Sequence, residues 1–562
     1  MNWLAAILTA TLLAGCVSAN RQYAAVEPPP ISADGWQKAQ TVLRDAPAGL
    51  RHVLTQAGEA RLRHHGRAEP PNATAPPEAQ SVILDILTHT RDQALLPDAG
   101  FEAMIDVVFG DNRQLNRSYA VALAGYLTRP DFGCQQPVYA RYFQRRYAAE
   151  PSAAQCRADV PFSFFTRYDG AQTAWLDPKR VSSIHLLFAS KSQSLASRFG
   201  HVALRLVVCP EGKTSAAECD ANLFEHVVLG FMAHVDELSL NTIKALNGKY
   251  KAYLVANRFM DVYQEYAIGE FRELYSLPLR LDDAQREMMV KELADIHWSY
   301  AGEYRFLTQN CATMMQNALR MSWPAFAASD AMTSDYYRPD SLFEAIKAGP
   351  LAEGDKLATL DAAEREGYFF SSTRQFYDLA LNEVRGEMKK PPFTSLESYL
   401  QIDPVKRRLA FAGDERFSAR LAADKHLREA QIMLEEYAVL QSERMMMIEG
   451  AKYFEQQDFQ SRADSIRVQL DAEHARIFDD CLLAPINRRV NPIQKMSGIP
   501  SSSEIPPASV PTSICHSVRD RKLLRETIEG IKDARSEQWR NLDGISQYWA
   551  ESIANLNLLK KM

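Results

Sequence analysis

The sequence predicts an α+β fold in which a small antiparallel sheet packs against helices. Alternating apolar and polar side chains, as from His201 to Val208, indicate a strand with one face in a core. A continuous apolar, β-branched run at 181–189 indicates a buried strand. Apolar side chains at helical spacing begin at Cys311. Helical periodicity on both sides predicts helical N- and C-terminal regions around this core.

Composition indicates an ordinary globular protein and argues against nucleic-acid binding. The chain has 562 residues, which favours about three or four domains. Its 46% hydrophobic and 24% charged residues are ordinary for a globular protein. A net charge of −6 gives no electrostatic footprint for nucleic acid, so we expect no nucleic-acid partner.

The chain begins with an apolar run at residues 3–14 that ends in Leu13-Ala14-Gly15-Cys16. This ending resembles the lipobox of bacterial lipoproteins, which implies cleavage before Cys16 and lipidation of its thiol. Val17 follows in place of an Asp, which implies sorting to the outer membrane, facing the periplasm. No Lys or Arg precedes this run, which departs from the usual signal-peptide pattern. The alternative interpretation of the run is a buried N-terminal helix.

The sheet is expected to follow a helical N-terminal region. After the strands at 181–189 and from His201, a return strand is predicted from Asn222 to Gly230, and another at 250–256. Helices are predicted at about 255–275 and after Asp283, which can cap the second one.

The helix that begins at Cys311 carries the candidate nucleophile. Thr308, Gln309 and Asn310 offer capping oxygens, so Cys311 falls in the first turn, where the helix dipole favours a thiolate. A lone Cys is more often a small buried apolar residue. A strand-borne His201 is the candidate general base, an arrangement known from papain-like enzymes.

Several motifs between these residues strengthen the case. They are Phe199-Gly200-His201 with Arg205 four residues on, Glu265-Tyr266, the ExRxLY pattern at 270–275, and Tyr304-x-Phe306 leading into Asn310-Cys311. In this order they resemble the Lnb N-terminal periplasmic domain family, within the circularly permuted NlpC-type, papain-like (lecithin:retinol acyltransferase-like) superfamily. The resemblance covers roughly residues 80–325. It implies a permuted papain-like core and acyl transfer through a Cys thioester.

With this resemblance the chain divides into five parts. They are a signal peptide at 1–15, a tether and helix at 16–77, a helical region at 78–160, the papain-like catalytic domain at 161–325 and a helical region at 326–562.

The remaining site residues have two interpretations each. His226 is nominated as third catalytic residue, because a Cys209–Cys219 bridge would place 226 or 227 nearly opposite 201; otherwise it is an ordinary strand residue. Arg205 either binds a substrate phosphate or carboxylate or forms a structural ion pair. Asn310 either only caps the helix or also holds an oxyanion.

Six further cysteines form three local pairs that an oxidising compartment would bridge. The predicted bridges are Cys134–Cys156, Cys209–Cys219 and Cys481–Cys515. Free buried thiols are the alternative. Cysteine and histidine spacings predict no metal site, and no cofactor is expected.

Three functions compete. The first is a lipid-anchored cysteine acyltransferase or hydrolase that takes its acyl group from a membrane lipid and acts on a lipid or lipoprotein. The second is a cell-wall peptidase or amidase of NlpC type. The third is a non-enzymatic envelope scaffold with a relict Cys/His pair.

Overall fold

The computed structural model describes thirteen stretches of the chain. They are residues 97–108, 115–129, 131–147, 155–166, 170–191, 200–234, 248–329, 335–454, 459–484, 496, 498–505, 518–530 and 537–562. The proposed lipobox with Cys16 and the tether lie outside them. Within the described residues no helix is long and apolar enough to cross a membrane.

In the described part of the chain, nine strands form one sheet. They are β1 Val160–Thr166, β2 Gly170–Leu176, β3 Val181–Ala189, β4 His201–Val208, β5 Val227–His234, β6 Tyr250–Arg258, β7 Leu274–Pro278, β8 Gly302–Tyr304 and β9 Phe369–Phe370. Their order is β2-β1-β6-β5-β4-β3-β7-β9, with β8 paired to β6. All pairs are antiparallel except β1 with β6. The expectation of an antiparallel sheet flanked by helices is confirmed, although the sheet is larger than expected.

Helices before and within the sheet region range from 4 to 17 residues. They are α1 Ala99–Val108, α2 Leu115–Thr128, α3 Phe132–Gln135, α4 Pro137–Tyr147, α5 Ala216–Ala221, α6 Phe259–Tyr263, α7 Asp283–Ser299, α8 Cys311–Ser322, α9 Pro324–Ala327, α10 Pro339–Ala348 and α11 Leu360–Arg365. A π-helix, Gln264–Gly269, continues α6. Short 3-10 turns lie at Pro178–Arg180 and Gly354–Leu357.

The C-terminal region is helical, as predicted. Its helices are α12 Arg374–Glu387, α13 Leu396–Gln401, α14 Pro404–Ala412, α15 Glu415–Ala423, α16 Lys425–Phe454, α17 Phe459–Arg467, α18 Ala472–Ile477, α19 Val518–Gly530 and α20 Glu537–Leu559. A second π-helix spans Phe478–Leu483. The fully buried Arg407–Glu435 ion pair, with nitrogen and oxygen 2.9 Å apart, lies within this region.

The chain divides into two compact units. The described part of the smaller unit is 97–102, 115–132 without 130, and 139–147. Its core is aromatic: the Phe101 ring lies 4.7 Å from Tyr119 and 5.5 Å from Tyr142 between centroids. The larger unit holds the sheet, the C-terminal helices and every residue of the candidate site.

The two faces of the sheet carry different helices. Val228 and Gly230 of β5 lie on the face that Val262 and Tyr266 cover. Phe231 points to the opposite face, where its ring meets Tyr300 at the end of α7 at 5.2 Å. The Tyr300 hydroxyl donates to the Met314 sulfur at 2.9 Å, which places α8 on that opposite face.

Two of the three predicted disulfides are present in full. Cys134 is bonded to Cys156 and Cys209 to Cys219. Cys481 is also disulfide-bonded, and its predicted partner Cys515 lies outside the described residues. Among the described cysteines only Cys311 is free, as predicted.

Candidate functional site

Cys311 is the first residue of α8, and Asn310 caps that helix. The Asn310 side-chain oxygen accepts from the Ala312 N–H at 2.9 Å and the Thr313 N–H at 3.4 Å. The Thr313 hydroxyl oxygen accepts from the Asn310 N–H at 2.9 Å, which completes a capping box. Of the three capping candidates in the sequence, the structure uses Asn310.

The Asn310 amide has no donor left for an oxyanion. Its nitrogen donates to the carbonyl oxygens of Phe306 at 2.9 Å and Tyr337 at 2.8 Å. A side-chain amide has two N–H groups, and both are used here. The capping role of Asn310 is therefore confirmed, and the expected oxyanion role is wrong.

Strands β4 and β5 separate at the end that carries His201. Their ladder pairs only Leu204, Arg205 and Leu206 with residues of β5. Before Leu204, β4 pairs with β3 alone, and after Leu229, β5 pairs with β6 alone. We call this opening the β4–β5 gap. Without a β5 partner, the Val202 N–H instead meets the Cys311 sulfur and stabilises its thiolate form.

His201 borders the same gap from the other face of the sheet. A Cβ atom placed on Gly230 would lie 3.3 Å from His201 Nε2, so this ring nitrogen faces β5 across the gap. The Tyr266 ring lies 6.2 Å from the imidazole between centroids. The fold thus brings His201 and Cys311, which are 110 positions apart, to one opening.

A small cleft opens beside His201. Among the described residues, the polar side chains that line it are those of His201, Asn257 and Tyr266. The rest of its wall is apolar and comes from Leu187, Ala189, Ala203, Val228, Gly230, Met232 and Val262. Such a wall suits an apolar group of a ligand.

Both candidate catalytic groups are neutral at rest. Burial raises the pKa of the Cys311 thiol to about 11, although the Val202 N–H and the Arg272 charge oppose this rise. Burial, and then the Arg272 charge, lowers the pKa of His201 to about 4. The helix start was expected to favour a resting thiolate. That expectation is wrong, because Cys311 is only 4% exposed and loss of hydration outweighs the helix dipole.

Two tyrosines next to the thiol were not predicted as site residues. The pKa of Tyr304 is raised by burial and by the Cys311 thiol, and the Cys311 backbone N–H bonds to its hydroxyl. Burial and nearby acidic groups, Cys311 among them, likewise raise the pKa of Tyr266. Both residues belong to the Glu265-Tyr266 and Tyr304-x-Phe306 motifs, which were the signal available in the sequence.

Arg272, from the ExRxLY motif, is also part of the site. Its guanidinium lies 4.6 Å from the centre of the Tyr266 ring. It donates to the carbonyl oxygens of Ser190 at 2.6 Å and Ala189 at 3.0 Å. Ala189 is the residue paired with His201, so Arg272 supports the strand that borders the site.

His226 does not lie opposite His201. Leu206 pairs with Val227, so the same register places position 226 beside Val207. Its Nε2 donates to the Cys219 carbonyl at 2.8 Å, and its Nδ1 accepts from Arg205 at 2.9 Å. The expected placement is therefore wrong, and the contacts of His226 are those of a buried structural residue.

Arg205 is buried too, so it is not open to a substrate. Besides His226, it donates to the Ser276 hydroxyl at 3.1 Å and the Gly367 carbonyl at 2.9 Å. It packs 4.4 Å from the centre of the Phe259 ring. Burial lowers its pKa to about 10. Its hydrogen-bond partners are neutral groups, and the nearby Asp220 carboxylate interacts with its charge. These contacts fit the structural interpretation of Arg205 and not the binding of a substrate.

Comparison with known proteins gives one match. Residues 167–342 match the family described as the Lnb N-terminal periplasmic domain. This segment contains His201, Arg272 and Cys311, supports the family resemblance drawn from the motifs, and supports a periplasmic location. No curated protein and no solved structure matches the chain. Within the described residues no group of His, Cys, Asp and Glu side chains could hold a metal ion.

Proposed function

We propose that this protein is a cysteine-dependent acyltransferase or hydrolase with a permuted papain-like core. The observation that carries the proposal is the placement of both Cys311 and His201 at the β4–β5 gap. The free cysteine begins a capped helix, and the Val202 N–H, next to His201, contacts its sulfur. A thiol at a helix start beside a strand-borne imidazole suits nucleophilic catalysis.

The reaction begins with proton transfer during attack. Neutral His201 takes the thiol proton while the Cys311 sulfur forms a bond to an ester carbonyl carbon. The tetrahedral intermediate collapses as the carbon–oxygen bond of the donor breaks, and imidazolium returns the proton to the leaving alcohol. An amine or water then attacks the thioester, with His201 again taking its proton, and the thiol is regenerated.

Tyr304 and the Cys311 backbone supply the oxyanion contacts in this proposal. The Cys311 N–H donates to the Tyr304 hydroxyl oxygen, so the Tyr304 O–H is left to donate to a carbonyl oxygen that arrives there. The Cys311 N–H becomes a second donor when the arriving oxygen displaces the tyrosine oxygen from it. Asn310 contributes by fixing the helix start. This division of roles replaces the oxyanion role that the sequence favoured for Asn310.

Membrane lipid is the acyl donor we favour. The cleft beside His201 has mostly apolar walls, which suits an acyl chain better than a charged cell-wall peptide. A lipidated Cys16 would hold the site beside its donor in the outer membrane, because diacyl anchors attach stably. The acceptor is then a lipoprotein amine, a second lipid or water.

Product analysis separates the three competing functions. The full-length protein is incubated with phospholipid vesicles, a lipoprotein acceptor and cell-wall fragments, and all products are identified by mass spectrometry. The proposal expects acyl transfer or lipid hydrolysis that Cys311→Ala and His201→Ala each lower by at least a hundredfold. Cell-wall cleavage without lipid change supports the peptidase, and turnover that survives in Cys311→Ala overturns the cysteine mechanism. Absence of all products in the wild type favours the scaffold.

A further inference from the structure

The π-helix that carries Tyr266 is held by the C-terminal helical region. The Ala267 carbonyl accepts from the Thr373 hydroxyl at 2.8 Å and from the Thr373 N–H at 3.1 Å. The Gly269 carbonyl accepts from the Gln441 side chain of α16 at 3.3 Å. A π-helix end lacks ordinary intrahelical partners, so these outside donors stabilise it where it stands.

Phe271, next to the π-helix, has an unfavourable backbone conformation. Its φ of +55° is the only positive value of a non-glycine residue in the described parts of the chain. Its ring stacks on Tyr437 of α16 at 5.1 Å and lies 5.6 Å from Tyr377 of α12. Strain of this kind persists only where the surroundings hold it, and here the surroundings are C-terminal helices.

Glu270 forms ion pairs both with Arg272 of the site and with Arg444 of the C-terminal helical region. Its carboxylate accepts from Arg272 at 3.1 Å and from Arg444 of α16 at 3.0 Å. The Arg272 side chain is 1% exposed and that of Glu270 14%, so this pair is little screened by water. Arg444 is 42% exposed and is the solvent-accessible end of this series of contacts.

The other end of this series of contacts, Arg272, lies beside the reacting groups. The Arg272 guanidinium holds the Ala189 carbonyl beside His201 and lies over the Tyr266 ring. A small displacement of Arg272 would therefore change the surroundings of both His201 and Cys311.

We propose that the Arg444–Glu270–Arg272 contacts are the link by which the C-terminal helical region positions the Cys311 site, with Arg444 as a positioning residue. The link deepens the proposed function, on which its catalytic meaning rests. It gives the C-terminal region a role in the reaction, because loss of the Arg444 contact would alter the surroundings of Cys311.

Alkylation of Cys311 tests the link without any substrate. The rate of iodoacetamide modification of the Cys311 peptide is measured by mass spectrometry against pH in the full-length protein. Without Arg444, the Arg272 side chain is held less firmly and stabilises the Cys311 thiolate less. We therefore expect Arg444→Ala to lower the alkylation rate at pH 9 three- to tenfold and to displace the pH profile of that rate to higher pH. Arg444→Lys should restore at least half of the rate. The other titratable groups around the thiol, His201, Tyr266 and Tyr304, are unchanged.

Arg420→Ala is the matched control. Arg420 forms a 3.0 Å ion pair with Glu387 in the same helical region, is 50% exposed, and should leave the rate within 1.5-fold of wild type. Near-UV circular dichroism verifies each fold, and Arg444→Gln replaces Arg444→Ala if the latter does not fold.

A double-mutant cycle separates the link from the charge of Arg444 itself. In a Glu270→Ala background, Arg444→Ala should change the rate less than 1.5-fold. A wild-type profile for Arg444→Ala, or an equal effect in both backgrounds, overturns the proposal. If Cys311→Ala keeps acyl turnover, the proposed function fails, while the alkylation profiles still decide whether the link exists.

Discussion

At the scale of single residues, burial affects the pKa values of the site more than the helix dipole does. The thiol of Cys311 and the imidazole of His201 have pKa values of about 11 and about 4, so both are neutral between these limits. A resting thiolate–imidazolium pair is therefore not the ground state. The proton moves only as the sulfur attacks, which restricts reactivity to a carbonyl already bound in the cleft.

The alkylation profile of the wild type tests this neutral ground state. Because the thiol pKa is raised, the thiolate fraction should increase about tenfold per pH unit from neutral pH and level off near pH 11. Peptide mapping after iodoacetamide treatment at each pH gives the rate. A plateau between pH 6 and 8 would show a preformed ion pair instead.

His226 is expected to matter for stability and not for the reaction. Replacing it with Gln disturbs its bonds to Arg205 and Cys219, and we expect a loss of about 1–3 kcal/mol in the free energy of unfolding. Urea denaturation measures this loss. Acyl turnover should stay within twofold of wild type, and a hundredfold loss of turnover with normal stability would restore His226 as a catalytic candidate.

The same variant has a predictable pH dependence. Burial, and then the Arg205 charge, lowers the pKa of His226 to about 3, from an ordinary value near 6.5. The unfolded chain therefore binds a proton below about pH 6.5 that the folded chain refuses, so stability is present above that pH and lost as pH falls. The advantage of wild type over His226→Gln should shrink by roughly 2 kcal/mol between pH 7 and 5. A constant difference would contradict the assigned neutral form.

Among the elements, the disulfide hairpin between β4 and β5 can be tested directly. Cys209 and Cys219 are 10 positions apart, and Cys219 lies within α5. Closing a loop of this size should stabilise the fold by about 3 kcal/mol. Replacing both cysteines with Ala should lower the free energy of unfolding by that amount in urea titrations. A loss below about 1 kcal/mol would mean that the hairpin is held by its other contacts.

Local patterns of apolar and capping residues in the sequence predicted the strand that carries His201 and the helix that carries Cys311. The strands at 181–189 and from His201 to Val208 have the bounds that alternation and apolar runs indicated. The helix begins at Cys311 because Asn310 is a strong N-cap. These features depend on neighbours in sequence, which is why the sequence reveals them.

Register and the β4–β5 gap could not be predicted in this way. The return strand was expected from Asn222, but it begins at Val227, because 222–226 forms a turn after α5. That difference moved His226 away from His201. The gap exists because β4 and β5 take different partners at this end, which are contacts distant in sequence.

The helix predicted at about 255–275 was right only in its middle. Strand β6 continues to Arg258, the helical part ends at Gly269, and β7 begins at Leu274. Phe271 turns the chain with a positive φ between them, a conformation that no local pattern favours for Phe. This segment is held by α12 and α16, so its form depends on helices about a hundred or more positions away.

For the whole molecule, the sequence predicts attachment to the outer membrane through Cys16. We expect Cys16→Ser to remain uncleaved or to become soluble, because the thiol that receives the lipid is absent. Membrane fractionation with mass spectrometry of the N-terminal peptide measures this. Leu12→Ile, a conservative change in the same apolar run, is the control. A processed Cys16→Ser protein in the outer-membrane fraction would rule out the lipoprotein proposal.

The central claim concerns an acyl group on Cys311, and trapping it is the most direct test. The full-length protein is mixed with phospholipid vesicles, quenched in acid and digested, and the Cys311 peptide is weighed. The proposed mechanism predicts an added fatty acyl mass that hydroxylamine removes and that Cys311→Ser does not acquire as a hydroxylamine-labile thioester. An unmodified Cys311 peptide in a preparation that turns over lipid, or an acyl adduct on another residue, would contradict it.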